Sequence, residues 1–319
     1  MSDRFSIPVF FVPAMVADAA SFSPSPRKPA EVVRDWQVHG FPIDVRTFAP
    51  VARNDLYRAH HMAYVNDVLD LQLQNGFGNK KPEVAHSLPY TSGAMLAAAT
   101  EAIANGRVAV APVSGFHHAG FDFGGGYCTF NGLMVTATAL KAKGLATRVG
   151  ILDLDQHWGN GTKDIIDRLD LSFVRHYSAG GAHWDTARSE NFLDQLSRIV
   201  EGFKHCDVLL YQAGADPHID DPLGGWLTTA QLRRRDEIVF STARRLGLPI
   251  AWNLAGGYQQ DERGGIEPVL RIHRNTMAAC VRCFSTDGDL PELLDQTDEE
   301  EGMGFRIVGA PPYAQLRSR

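Results

Sequence analysis

The chain has 319 residues, 44% of them hydrophobic and 21% charged, with a formal net charge of −6. This is the composition of a soluble globular enzyme with a large core, and no run approaches the length of a membrane span. The acidic balance excludes a general nucleic-acid binder, which needs a basic face, and suits a cationic substrate. Four cysteines, Cys128, Cys206, Cys280 and Cys283, are too few for a disulfide framework in a chain this long. Residues Ile7 to Ala17 are apolar but interrupted by Pro8 and Pro13, and read as a first buried strand rather than a leader. A cytoplasmic protein is expected.

Strand-like runs recur along the chain at Val9–Val12, Ile43–Thr47, Val108–Val113, Val149–Leu154, Leu171–Val174, Val208–Tyr211 and Pro249–Leu254. Several are continuously apolar, as strands covered on both faces are. Helical patterns fall between them, at Pro29–His39, His61–Leu73, Ser92–Asn105, Asn131–Lys143, Ser189–Gly202, Thr228–Leu246 and Gly265–Phe284. Gln231 stands three residues after Thr228, the spacing of a capping box. Cys280-x-x-Cys283 falls inside the last helix with no second ligand pair nearby, and reads as ordinary helix positions. Alternating strands and helices predict a mostly parallel central β-sheet with helices on both faces, an α/β fold whose site lies at the C-terminal strand ends.

Four of those ends are chemically unusual. The fourth strand runs into Asp153-Leu154-Asp155-Gln156-His157, after which Gly159 and Gly161 turn the chain sharply. Residues two apart on a strand share a face, so two carboxylates and an imidazole converge. Two unpaired buried carboxylates would be very costly. A cation is the natural partner, and Asp with His suits zinc or a similar divalent ion. Taken alone, the triplet equally suits a strand ending in a solvated loop.

The third strand runs into Ser114-Gly115-Phe116-His117-His118-Ala119-Gly120, where two adjacent histidines are less easily structural than one. The sixth runs into Gln212-Ala213-Gly214-Ala215-Asp216, which places Asp216 as a third ligand; Asp220, further on, reads as a turn residue. The seventh runs into Ala255-Gly256-Gly257-Tyr258, where two glycines permit close backbone approach and present Tyr258 at the mouth of the site. The loop Gly124-Gly125-Gly126-Tyr127-Cys128-Thr129-Phe130-Asn131 opens with three glycines that offer no core packing. It lacks the Lys-Ser/Thr of a phosphate-binding loop and does not follow a strand, so phosphate cradling ranks low.

Taken together, Gly115-Phe116-His117-His118, Gly126-Tyr127-Cys128, Asp153-Leu154-Asp155-Gln156-His157, Gly159-Asn160-Gly161, Gly214-Ala215-Asp216, Asp221-Pro222-Leu223-Gly224-Gly225 and Gly256-Gly257-Tyr258 resemble the zinc-dependent histone deacetylase family. That family has the arginase-deacetylase fold. The likeness is strongest to the class IV branch and its bacterial relatives, the histone deacetylase-like amidohydrolases. The motifs stand in the family order and cover roughly residues 5 to 285. A single catalytic domain over 1–285 is expected, with 286–319, which includes the acidic run Asp298–Glu301, as a C-terminal tail.

The resemblance implies one zinc ion per chain held by Asp155, His157 and Asp216. It implies His118 as general base, His117 as its polar or cationic neighbour, and Asn160 and Asp153 as their respective partners. A carboxylate raises an imidazole's pKa and an amide does not, so His118 should be the more easily deprotonated. Tyr258 would donate its hydroxyl to the substrate carbonyl. Gly126 and Tyr127 would wall a narrow substrate tunnel, opposite His183 or Trp184, with Leu223 at the rim.

The implied activity is hydrolysis of an N-acyl-lysine or similar acylated amine by zinc-activated water. Alternatives are an acetylpolyamine or small-molecule deacylase on the same fold, and a catalytically silent acyl-lysine-binding module. An arginase-like dimanganese site would need extra Asp and His ligands, which Gln156 and Gly159 do not supply. Two departures stand out. Phe116 replaces the family's more common glycine, with the pocket floor at stake. The family's potassium site pairs an aspartate like Asp153 with a serine on the next strand; here the nearest match is Arg175 or His176, and neither Ser178 nor another nearby hydroxyl clearly replaces that serine, which counts against potassium. No nucleic-acid or membrane partner is expected.

Overall fold

A computed structural model describes residues 5–182 and 184–285. Among these residues lie seven strands: β1 (Ile7–Phe10), β2 (Ile43–Arg46), β3 (Val108–Ala111), β4 (Val149–Asp153), β5 (Val174–Ser178), β6 (Val208–Gly214) and β7 (Ile250–Ala255). They form one sheet in the order β2-β1-β3-β7-β6-β4-β5, and every pairing is parallel. The helices are α1 (Lys28–Val38), α2 (Arg53–Leu56), α3 (Met62–Leu69), α4 (Pro82–Asn105), α5 (Gly132–Ala142), α6 (Asn160–Arg168), α7 (Ser189–Glu201), α8 (Thr229–Leu246) and α9 (Glu267–Phe284).

The period of two along each strand divides the core in two. Val108 and Val110 of β3, with Ile250, Trp252 and Leu254 of β7, face a cluster containing Trp36 of α1, Phe192 of α7, Phe240 of α8 and Phe284 of α9. Their neighbours Ala109, Ala111 and Ala251 face the opposite cluster, with Met95 of α4, Leu133 of α5 and Ile165 of α6. Trp36 and Trp252 meet edge-on, centroids 5.6 Å apart, a contact of about 0.5–1.5 kcal/mol beyond its buried area. The result is a three-layer α/β/α fold.

Three elements depart from the sequence expectations. β5 is an edge strand, and its Arg175, His176 and Tyr177 are not fully buried; the apolar run Leu171–Val174 places the expected strand too early in the chain. α4 begins ten residues before Ser92 because Val84, Ala85 and Leu88 continue its buried face through Pro89. The glycine turn expected after His157 passes directly into α6. That segment is helical because Ile165 buries its apolar side and Lys163–Asp167 and Asp164–Arg168 pair one turn apart. Gly161 is needed there, since a Cβ would lie 2.4 Å from the Ala119 backbone.

The capping box at α8 is present, with Thr228 Oγ1 accepting from the Gln231 amide and Gln231 Oε1 from the Thr228 amide. Cys280 and Cys283 lie in α9, and all four cysteines are unpaired thiols. No helix among the described residues is long and apolar enough to cross a membrane. The expected tail, 286–319, lies outside the described residues.

Candidate active site

The four strand ends singled out in the sequence belong to β3, β7, β6 and β4, which are contiguous at the centre of the sheet. Their C-terminal ends therefore open on one place. Past β4, Asp155 is buried and His157 half-buried; past β6, Asp216 is fully buried. His157 Nδ1 lies 2.9 Å from Asp216 Oδ2 and 3.2 Å from Asp155 Oδ1. One donor atom from each of the three falls within 4.8 Å of the others.

These residues fit a divalent cation. Two oxygens and a nitrogen about 2.1 Å from one tetrahedral ion would stand roughly 3.4 Å apart, close to the separations observed. Two buried carboxylates beside one imidazole also gather negative charge that a divalent cation would balance. Burial and the charge of Asp155 raise the pKa of the Asp216 carboxyl. Backbone amides hold the set in place, His157 N donating to Asp155 Oδ1 and Gln156 N to Asp216 Oδ1. Gly256 adopts φ +49°, and a Cβ there would lie 2.2 Å from Asp216 Cγ, so only glycine lets the chain leaving β7 turn against this ligand.

The tandem histidines approach from β3, rings 4.1 Å apart. His117 Nδ1 donates to Asp153 Oδ2 at 2.7 Å, and His118 Nδ1 to Asn160 Oδ1 at 2.6 Å. Their basicities separate accordingly. Burial opposes charge on His117, but Asp153 and Asp155 outweigh it and raise its pKa to about 9. For His118, burial and the neighbouring His117 charge lower it to about 4. Because the Asn160 carbonyl only accepts, His118 carries its proton on Nδ1 and turns the lone pair of Nε2 to the cavity.

Tyr258 lines the same cavity as His117, His118, Asp155 and His157. Its ring is stacked on Phe22, centroids 6.3 Å apart, and leans on Tyr127 at 5.7 Å. Burial, then the charges of Asp216 and Asp155, raise its pKa well above the usual phenol value, so it stays a proton donor. Gly126, at φ +54°, lines the cavity beside Tyr127, and a Cβ there would lie 2.4 Å from the His118 ring. Cys128 also lines it, but its thiol donates to Gly115 O, and burial pushes its pKa up to about 12, which rules out a thiolate nucleophile.

Several expected positions resolve differently. Phe116 does not form the pocket floor; its buried ring packs against Gly132 at the start of α5, and Ser25 and Ser114 line the cavity instead, joined by a 2.9 Å hydrogen bond. Trp184 is no tunnel wall, since its ring packs on Phe192 and Trp226 over the core. His183 lies outside the described residues. Leu223 is half-buried beside Asp221 and is not among the residues lining the cavity. The register pairs Asp153 with Ser178, not with Arg175 or His176, and the Ser178 hydroxyl accepts from Gly159 N. The early placement of β5 leaves this serine outside the expected strand.

Other residues here have roles that the sequence reading does not assign. Gln212 Nε2 donates to Asp153 Oδ1, while its Oε1 accepts from Phe116 N. Asp221 Oδ2 accepts from Tyr258 N at 2.8 Å, orienting that loop. Lys28 is fully buried and donates to Gly256 O; its pKa is lowered to about 8 by burial against the pull of Asp216, Asp155 and Asp221. A lysine in the first turn of a helix opposes the helix dipole, and that was the available signal.

A parallel α/β sheet whose central strand ends gather a buried Asp-His-Asp set beside tandem histidines and a tyrosine defines the class of protein. The family model described as "Histone deacetylase domain" matches residues 26–179 and 180–266. The chain belongs to that family. It is 39% identical over 179 residues to the acetylpolyamine amidohydrolase of Mycoplana ramosa, covering 46% of this chain and 50% of that protein. It is 30% identical over 180 residues to acetylpolyamine amidohydrolase 2 of Pseudomonas aeruginosa, with the same coverage of 46% and 50%. The chain thus spans about half the length of the curated relatives it matches. Among solved structures, the fold matches that titled "Crystal Structure of HDA15 HD domain" with TM-score 0.69 at 21% identity, over 92% of this chain and 91% of that one.

Proposed function

We propose that this chain is a metal-dependent amide hydrolase that removes the acyl group from N-acyl-lysine or a similar acylated amine. The observation that carries the reading is the convergence of Asp155, His157 and Asp216 within 4.8 Å, at a cavity that His118 and Tyr258 also line. Asp155, His157 and Asp216 would hold one divalent ion, zinc in this reading. When bound, that ion supplies a Lewis acid for the acyl carbonyl and brings the pKa of a water near 7.

The protein's own groups do the rest. His118, neutral at physiological pH, accepts the water's proton at Nε2 and later delivers it to the departing amine. His117, paired with Asp153, remains cationic and steadies negative charge. Tyr258 donates its hydroxyl to the carbonyl oxygen as that charge develops. Gly126 and Tyr127 provide an apolar wall suited to a methylene chain. The reading needs one divalent ion per chain.

The likeness to two proteins named acetylpolyamine amidohydrolases supports a second reading, in which the acylated amine is a polyamine. A silent binding module is disfavoured by retention of every group a hydrolase would use. A fluorogenic acetyl-lysine peptide and N-acetylputrescine, each assayed with and without chelator, test the proposal. Turnover of at least one, abolished by chelator and restored by zinc, is expected. Metal-independent turnover, or none on either substrate after zinc loading, would refute it.

A further inference from the structure

The ladder between β4 and β6 ends at the pair Asp153–Gln212, with Leu154 N reaching back to Gln212 O. The chain segments that carry the two carboxylate ligands run on beyond it. They pass so closely that a Cβ on Gly214 would lie 2.5 Å from Asp155 Cα. At that point their carbonyls receive a common donor: Arg235 Nη1 donates to Gly214 O at 2.6 Å and to Leu154 O at 3.3 Å. Leu154 immediately precedes Asp155, and Gly214 stands two residues before Asp216.

Arg235 is one of three consecutive arginines in α8, but it alone of the three falls on the buried face with Leu232, Asp236 and Val239. Its guanidinium is fully buried, and its Nε is paired with Asp236 Oδ1 at 2.8 Å. Asp236 is anchored in turn: Oδ1 accepts from the Tyr211 hydroxyl of β6 and Oδ2 from Thr276 Oγ1 of α9 at 2.6 Å. One buried ion pair therefore joins β4, β6, α8 and α9 behind the metal-ligand set. A buried ion pair seldom stabilises a fold more than apolar residues of the same volume would; where it is retained, the better-attested role is to fix one geometry. The planar fork of arginine is suited to that role, since it holds its acceptors in a set arrangement.

We propose that Arg235 is a positioning residue for the metal site: by clasping the carbonyls of Leu154 and Gly214 it sets the separation of Asp155 and Asp216, and with it the affinity and geometry of the bound ion. This rests on the reading of Asp155, His157 and Asp216 as ligands. It extends that reading to a residue that touches neither ion nor substrate.

The test uses the full chain, stripped of metal and titrated with zinc against a competing chelator, then with cobalt for its absorption spectrum. The variants are Arg235→Lys, which keeps the charge but not the fork, and Arg235→Met, which keeps neither. Phe240→Leu, one turn from Asp236 on the same buried face, loosens α8 without removing any hydrogen bond of the clasp. Loss of an outer partner of a metal site weakens binding on the order of 10–100-fold. Arg235→Met should fall in that range, and Arg235→Lys near its lower end. Both should shift the cobalt bands, whereas Phe240→Leu should lower the melting temperature and leave affinity and bands unchanged. Should Arg235→Met not fold, Arg235→Lys decides alone. Zinc affinity within twofold of the parent with unshifted cobalt bands overturns the clasp while leaving the ligand set intact. A parent protein that binds neither ion overturns both.

Discussion

Tyr258→Phe separates the chemistry of the site from its architecture. The ring is held by Phe22 on one side and Tyr127 on another, and the main chain by the Asp221 carboxylate. Phenylalanine keeps all three contacts, so folding, metal content and KM should change little. On the proposed mechanism, what is lost is the one side-chain donor to the developing oxyanion at the cavity that Tyr258 lines. Removing such a donor costs about 2.7–4 kcal/mol of transition-state stabilisation, or roughly 10²–10³ in kcat. Steady-state kinetics on the better of the two substrates, with melting temperature and metal content measured on the same preparation, would read it. Turnover within a few-fold of the parent would remove Tyr258 from the mechanism.

Other substitutions test other parts. Because His118 is depressed to about 4, the neutral base persists as pH falls below the usual histidine range, and the acidic limb of the kcat/KM profile should lie below pH 6. Asn160→Asp adds a charge that favours the imidazolium and should move that limb to higher pH; an unmoved limb would take the base role from His118. Gly256→Ala drives a methyl into Asp216 and should abolish zinc binding in isothermal titration, with bound zinc at parental affinity counting against the tight fit. Gln212→Leu leaves Asp153 with one donor fewer and should reduce kcat more than tenfold while cobalt bands stay fixed; unchanged kcat would make Gln212 merely structural.

The strands and the four site-bearing ends were legible because a continuous apolar run that stops at Asp, His or Gly marks a buried strand reaching a polar edge of the sheet. What escaped was information that only three-dimensional neighbours carry. β5 is an edge strand whose half-exposed residues break the apolar run, so the register that sets Ser178 beside Asp153 is not readable from the sequence. Phe116 looked like a pocket residue from its place beside His117, yet its ring turns to the core. Gln212, Asp221, Lys28 and Arg235 sit in ordinary strand, turn and helix contexts. Their importance lies in the distant groups they bind, the carboxylate of Asp153, the amide of Tyr258 and the carbonyls of Gly256 and Gly214.

Metal stoichiometry tests the ligand set most directly. Elemental analysis of the purified chain after zinc loading and desalting should find one ion per chain in the parent and none in Asp216→Ala, each folded by circular dichroism. No tightly held ion in the parent, or an equal content in the variant, would contradict that assignment.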